Sequence, residues 1–179
     1  MQSIYTYGIL SHNQTQLKYC SLDDTRSEYM TGLEMPAVNF DNVKTEYLNA
    51  LGYSEEKCKS VDAVLETNTE ITGTQVILFE FKNGAIEKEN INLKARDSLL
   101  LLCDIMGISI EETRNRFTFV LVYNQDEAKL KWQDRKSIGM SQKAGKSCPV
   151  FKLDKMEGVY FKKALMVEKG ELEGWLKRQ

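Results

Sequence analysis

One histidine, two prolines and four cysteines in 179 residues leave several chemistries without their usual parts. His12 alone cannot build a multi-histidine metal site, and its polar N-terminal surroundings make it a surface residue rather than a catalyst. Cys20, Cys58, Cys103 and Cys148 are scattered, with no C-x-x-C pair. That spacing argues against a zinc site or a disulfide framework and points to a reducing, cytoplasmic setting. Long apolar stretches are missing too. Runs such as Leu99–Cys103 fall far short of the roughly 20 residues a membrane span requires, so no membrane partner is expected. The opening MQSIYTYGILSHNQ has neither the basic region nor the apolar centre of a secretion signal. Repeats, low-complexity tracts and Gly/Ser linkers are likewise absent. With 42% hydrophobic and 28% charged residues, the chain reads as one globular domain over 1–179.

Charge is divided unevenly. Residues 1–128 carry 11 Lys and Arg against 20 Asp and Glu, whereas residues 129–179 carry 13 against 6. A basic last third on an acidic body is either a solvated face or a surface for a polyanion, and charge alone favours the solvated face.

Periodicity and turn chemistry predict the order of elements. SIYTYGIL fits a short strand, and the rest of residues 1–40 resists assignment. FDNVKTEYLNALG predicts a helix with Asp41 as N-cap and Gly52 as its stop. CKSVDAVLE and TQVILFEF predict two strands joined through the turn-rich TNTEITG as a hairpin. EKENINLKARDSLLLLCDIMG predicts about five turns of helix, with Glu87 and Glu89 at its start and Gly107 at its end. RFTFVLVYN is a further apolar strand. VILF and FVLV barely alternate, so both faces should be covered, as in a central α/β sheet, and the intervening helix makes the two strands parallel. Residues 125–149 read as a long basic loop, and residues 150–179 as a strand or two with a closing helix on Leu172, Trp175 and Leu176.

The stretch TQVILFEFKNG raises the functional question. On a strand, Val76, Leu78, Glu80 and Lys82 share one face, and Ile77, Phe79 and Phe81 the other. A charge buried there costs several kcal/mol unless it is compensated. Either the strand emerges into solvent at Glu80, or its end opens into a cleft where a cation compensates the carboxylate and Lys82 faces a polyanion. Taken alone, the stretch favours emergence. Antiparallel pairing with the upstream strand places Asp62 at the same end as Glu80. Two carboxylates side by side repel unless a cation lies between them, and Mg²⁺ suits one or two carboxylates with water and phosphate oxygens. With Lys82 to orient a metal-bound water, this is metal-assisted phosphodiester hydrolysis in outline.

Asp62, then 17 residues, then Glu80-Phe81-Lys82 resembles the PD-(D/E)XK nuclease superfamily over about residues 41–124. The resemblance implies a restriction-endonuclease-like αβββαβ core, a mixed α/β sheet flanked by helices. It implies Mg²⁺ or Mn²⁺ held by Asp62, Glu80 and the Phe81 carbonyl, with Lys82 acting on the water. It adds Glu46 as a helix carboxylate and Lys94 or Arg96 as contacts to substrate phosphate. The substrate would be nucleic acid, DNA ahead of RNA. Val61 stands where that family has proline, the family's first strand has no clear counterpart, and the body is acidic for a DNA-binding enzyme.

Two other motifs are weaker. GMSQKAGKS fails as a P-loop, because five residues separate Gly139 from Gly145 where four are needed and no buried strand leads in. KLKWQDRK interleaves Trp132 with Lys129, Lys131 and Arg135, as single-strand binders do, although a packed tryptophan among solvated cations explains it better. The expectation is therefore a metal-dependent nuclease. The alternative is a catalytically inactive nuclease fold that binds a basic protein as an immunity or regulatory partner. A third, plainer reading makes Glu80 and Lys82 a local salt bridge in an interaction module.

Overall fold

In the computed structural model, residues 2–69 and 73–179 are described. The turn predicted within TNTEITG falls partly on residues 70–72, outside the described residues.

The chain begins not with a strand but with a 3-10 turn, Ile4–Thr6, and a short helix α1 (Gly8–His12), so the SIYTYGIL expectation is corrected. Ser3 accepts from the Tyr5 N–H, and Ile4 and Leu10 are both buried under the sheet. Next come β1 (Gln14–Gln16), α2 (Leu17–Cys20), and a two-stranded ribbon of β2 (Leu22–Asp23) and β3 (Glu28–Tyr29). β4 (Pro36–Asn39) precedes α3 (Phe40–Ala50). Asn39, not Asp41, caps that helix, its side chain accepting from the Asn42 N–H at 3.1 Å.

β5 (Ala63–Thr69) and β6 (Gly73–Lys82) form the predicted antiparallel pair, in a register that sets Ala63 opposite Phe79. α4 (Lys88–Met106) ends at Gly107, whose φ of +63° suits a residue without Cβ. α5 (Ile110–Arg116) starts with a capping box, Ser109 and Glu112 each bonding the other's backbone. β7 (Phe117–Tyr123) lies parallel to β6. The predicted loop over 125–149 contains α6 (Trp132–Ala144), capped by Gly145. A single fully buried residue, Ile138, anchors that helix, which is why no apolar stripe announces it. After the 3-10 segment Val150–Met156 come β8 (Lys163–Glu168), parallel to β7, and α7 (Leu172–Leu176).

The result is a mixed α/β architecture built on a six-stranded sheet, order β1-β4-β5-β6-β7-β8, flanked by helices. The expected αβββαβ order is modified: around the hairpin the chain runs β4-α3-β5-β6-α4-α5-β7, with a strand before the first helix. Val76 and Leu78 on one face of β6 pack with Phe40 and Val43 of α3 and Ile91, Ala95, Leu99 and Leu102 of α4. Ile77, Phe79 and Phe81 on the other face pack with Leu17 of α2 and with Leu172 and Leu176 of α7. Central strands covered on both faces explain the unbroken apolar runs. The carboxyl ends of β4, β6, β7 and β8 gather at one edge of the sheet, together with the start of β5. In open α/β sheets that edge is where ligands bind. Among the described residues, no helix is long and apolar enough to cross a membrane.

Candidate active site

Asp62 is fixed by its neighbours before it meets any charge. α4 suspends the approach to β5: the Lys59 N–H donates to Asp97 Oδ2 and the Val61 N–H to the buried Ser98 Oγ, both at 2.8 Å. The Asp62 N–H donates to the Phe79 carbonyl at 3.0 Å, and its own carbonyl accepts from the Phe40 N–H at 3.1 Å. These bonds turn the carboxyl towards β6, where Oδ2 accepts from the Phe81 N–H at 2.6 Å. It is thus the Phe81 amide that meets the site through a hydrogen bond.

The hairpin register brings Glu80 beside Asp62, as the strand geometry predicts. Glu80 does not emerge into solvent, because its side chain is 0% exposed. Compensation comes from two lysines. Lys82 Nζ, on the same face of β6, lies 2.9 Å from Glu80 Oε1. Lys94 Nζ, from α4, reaches Glu80 Oε1 at 2.7 Å and Oε2 at 2.9 Å, and Asp62 Oδ1 at 3.3 Å. A single ammonium therefore bridges both carboxyls, in the position where the sequence calls for a cation.

Electrostatics separate the members of this cluster. Burial, then the charge of Glu80, pushes the Asp62 carboxyl up to about 7, with Lys94 and the Phe81 N–H holding it back from rising further. Burial works against the Lys94 charge, but Asp62 and Glu80 outweigh it and hold the ammonium above the ordinary lysine range.

Asp62 and Lys82 open onto a cavity of about 700 Å³, and Glu80 lies behind them. Its wall includes Asn39 and Asp41 at the start of α3, Cys20 at the end of α2, and Arg26 between the ribbon strands. Arg26 is tied across to Glu127 at 2.8 Å, which fixes the ribbon against the body. Cys20 is no nucleophile in waiting: burial, then Asp62 and Asp41, pushes its thiol up to about 12. Asn83, on the same lining, accepts from the buried Asn124 Nδ2 at 2.7 Å, which ties the ends of β6 and β7 together.

The remaining predicted site residues stand elsewhere. Glu46 accepts from Asn13 Nδ2 at 2.8 Å and faces His12 at 3.5 Å, so the acid that α3 presents to the cavity is Asp41. Asp41 itself accepts from the Ser60 hydroxyl. Arg96 donates to the Asn92 carbonyl and lines a different cleft. Lys129 and Lys131 are exposed ahead of α6, and Arg135 donates to the carbonyls of Leu130 and Gln125. Trp132 is 72% exposed beneath the Lys136 ammonium, so the packed-tryptophan reading is corrected.

Comparison with known proteins identifies no relative: no family model matches the chain, and neither a curated protein nor a solved structure matches it. The site must be read on its own chemistry. Among the described residues, no group of three His, Cys, Asp or Glu side chains is placed to hold a metal ion. What the cluster offers is two carboxyls, a number that suits Mg²⁺, which retains several waters and needs few protein ligands. Both carboxyls already contact ammonium groups, Glu80 those of Lys82 and Lys94 and Asp62 that of Lys94, so an ion held there would have to displace them.

Sequence reasoning missed Asp41, Asp97 and Ser98. It also assigned Lys94 to substrate phosphate rather than to the two carboxyls. One signal was available: Lys94 falls in the stripe Ile91, Ala95, Ser98 and Leu102, where a cation has to find a buried partner.

Proposed function

We propose that this chain is a metal-dependent phosphodiesterase acting on nucleic acid, DNA ahead of RNA, of the PD-(D/E)XK kind. The observation that supports this reading best is the pairing of Asp62 and Glu80 on one ammonium, at the ligand-binding edge of the sheet and beside an open cavity. Two carboxyls brought together in this way are costly unless a cation is shared between them. A Mg²⁺ or Mn²⁺ ion would supply a Lewis acid and a water acidified towards hydroxide. Asp62 and Glu80 would hold it, with the Phe81 carbonyl as a further oxygen donor. Lys82, at the cavity wall, would orient the attacking water and balance charge on the phosphate. Lys94 would keep the carboxyls together whenever the ion is away.

A second reading rests on one specific observation. Glu80 is fully buried and already satisfied by Lys82 and Lys94. A cluster closed in this way needs no metal, and it suits a nuclease-like scaffold whose acidic body binds a basic protein. Calorimetric titration with Mg²⁺ and Mn²⁺ separates the two, on wild type and Glu80→Ala, with a nuclease assay on the same samples. Uptake and cutting that both vanish in the variant support the enzyme. No uptake by well-folded wild type removes the hydrolytic mechanism and leaves the binding protein.

A further inference from the structure

A second concave surface lies away from the Asp62 cluster, between the first half of α4 and the 3-10 segment Val150–Met156. It is a cleft of about 510 Å³ whose walls carry Lys88 and Arg96 from α4 and Lys152 and Lys155 from the segment opposite. Among the described residues, Glu89 is the only carboxylate on its lining. Asn92 holds the two walls together, its amide donating to the Lys88 carbonyl at 2.7 Å and to the Phe151 carbonyl at 3.4 Å.

Three features set these cations apart from an ordinary solvated face. Among the described residues, neither Arg96 nor Lys152 belongs to an ion pair, while Lys88 and Lys155 have only the loose, adjacent partners Glu89 at 3.7 Å and Asp154 at 3.6 Å. The Arg96 guanidinium spends its Nε–H on the Asn92 carbonyl at 3.2 Å, leaving the two terminal NH₂ groups for a ligand. The wall opposite is held in an unfavourable conformation: Phe151 and Lys152 are consecutive left-handed residues without being glycine, φ +57° and +61°. Such backbone is unfavourable for residues with a Cβ and clusters at sites where the surrounding structure holds it in place. Here it aims a lysine into a cleft that already holds three cations.

Four cations spread over two elements exceed what one phosphate can neutralise, and they suit a run of successive phosphates. We propose that this cleft is a phosphodiester-backbone site that tracks a nucleic-acid strand, deepening the nuclease reading by giving that substrate a second point of attachment. It also accounts for part of the excess positive charge in residues 129–179. Tyr160, on the same lining, gives the cleft a partly buried aromatic surface beside the phosphate track.

The test is fluorescence anisotropy with labelled single- and double-stranded DNA oligonucleotides in EDTA, over a series of salt concentrations. EDTA removes divalent-ion binding at the carboxyl cluster, which metal calorimetry reports separately, and the paired variants assign the remaining DNA binding to the cleft. Arg96→Glu/Lys152→Glu should weaken binding at least tenfold and lower the slope of log K against log salt by about 2. Lys57→Glu/Lys177→Glu, the same charge change elsewhere on the surface, should do neither, and thermal melts establish that both double variants are folded. The proposal is overturned if wild type does not bind DNA, or if both double variants weaken it equally. Competition by inorganic pyrophosphate as effective as by oligonucleotide would also overturn it, by showing a small-anion pocket. So would a phosphopeptide that needs the cleft when DNA does not.

Discussion

Lys94 places its ammonium 2.7 and 2.9 Å from the two carboxylate oxygens of Glu80, a side chain with no solvent exposure. The contact explains how β6 can carry a glutamate into the interior. Removing one partner of a buried pair costs about 3–5 kcal/mol, since the other charge is stranded. Lys94→Met should therefore lose about 3 kcal/mol in urea unfolding, at the low end because Lys82 remains on Glu80. Glu80→Gln in the same chain should recover much of that loss. If Lys94 stands where a cation belongs, Mg²⁺ should raise the melting temperature of Lys94→Met more than that of wild type.

How much of this could be read in advance depended on where a side chain's partners lie in the chain. β6, α4 and β7 are long, apolar and bounded by turn residues, and each is legible from its own segment, whereas the strand predicted over 58–66 runs Ala63–Thr69, because its polar second half reads as turn. The meeting of Asp62 and Glu80 is legible too, because a hairpin register is a local property. β4 is four residues long and begins with proline, so nothing local distinguishes it from a loop; only pairing with β1 and β5 makes it a strand. Glu46 and Asp41 lie five residues apart on one helix, and the packing of α3 against α1, unreadable from either segment, decides which of them faces the cavity. α6 escaped notice because its sequence is polar nearly all round.

Ser98 is a positioning residue for Asp62. Its buried hydroxyl accepts the Val61 N–H, one residue before the carboxyl. Ser98→Ala leaves that N–H without a partner, at about 1–3 kcal/mol. Loosening the approach to β5 should also weaken divalent-ion uptake in calorimetry. Ser109→Ala, which removes the capping box of α5, should cost about 1 kcal/mol and leave ion uptake untouched. Equal effects of the two variants on uptake would show that Ser98 acts only through general stability.

Trp132 and Trp175 report different surroundings. Trp132 is 72% exposed, whereas Trp175 is partly buried with its ring edge-on to Phe79 at 6.3 Å. Trp132→Ala should change unfolding free energy by no more than about 0.5 kcal/mol. It should remove the red-shifted part of the native emission and leave a spectrum dominated by Trp175. A large loss of stability would mean that the start of α6 packs more tightly than its exposure indicates.

The raised Asp62 carboxyl makes an unusual contribution to stability against pH. In the unfolded chain this group titrates near 3.8, and in the folded chain burial and Glu80 move it to about 7. Below the unfolded value both states hold the proton and Asp62 adds no pH dependence. Between about 4 and 7 the folded state retains a proton that the unfolded state has lost, so stability falls as pH rises. Its slope can approach about 1.4 kcal/mol per pH unit before levelling off above 7. A salt-bridged aspartate with a depressed pKa would do the opposite, gaining stability across the acid range. Urea unfolding in EDTA from pH 4 to 8, on wild type and Asp62→Asn, reads the difference directly. The variant should flatten the descent, and a wild-type profile that climbs through this window would place Asp62 as a fully ionised partner of Lys94.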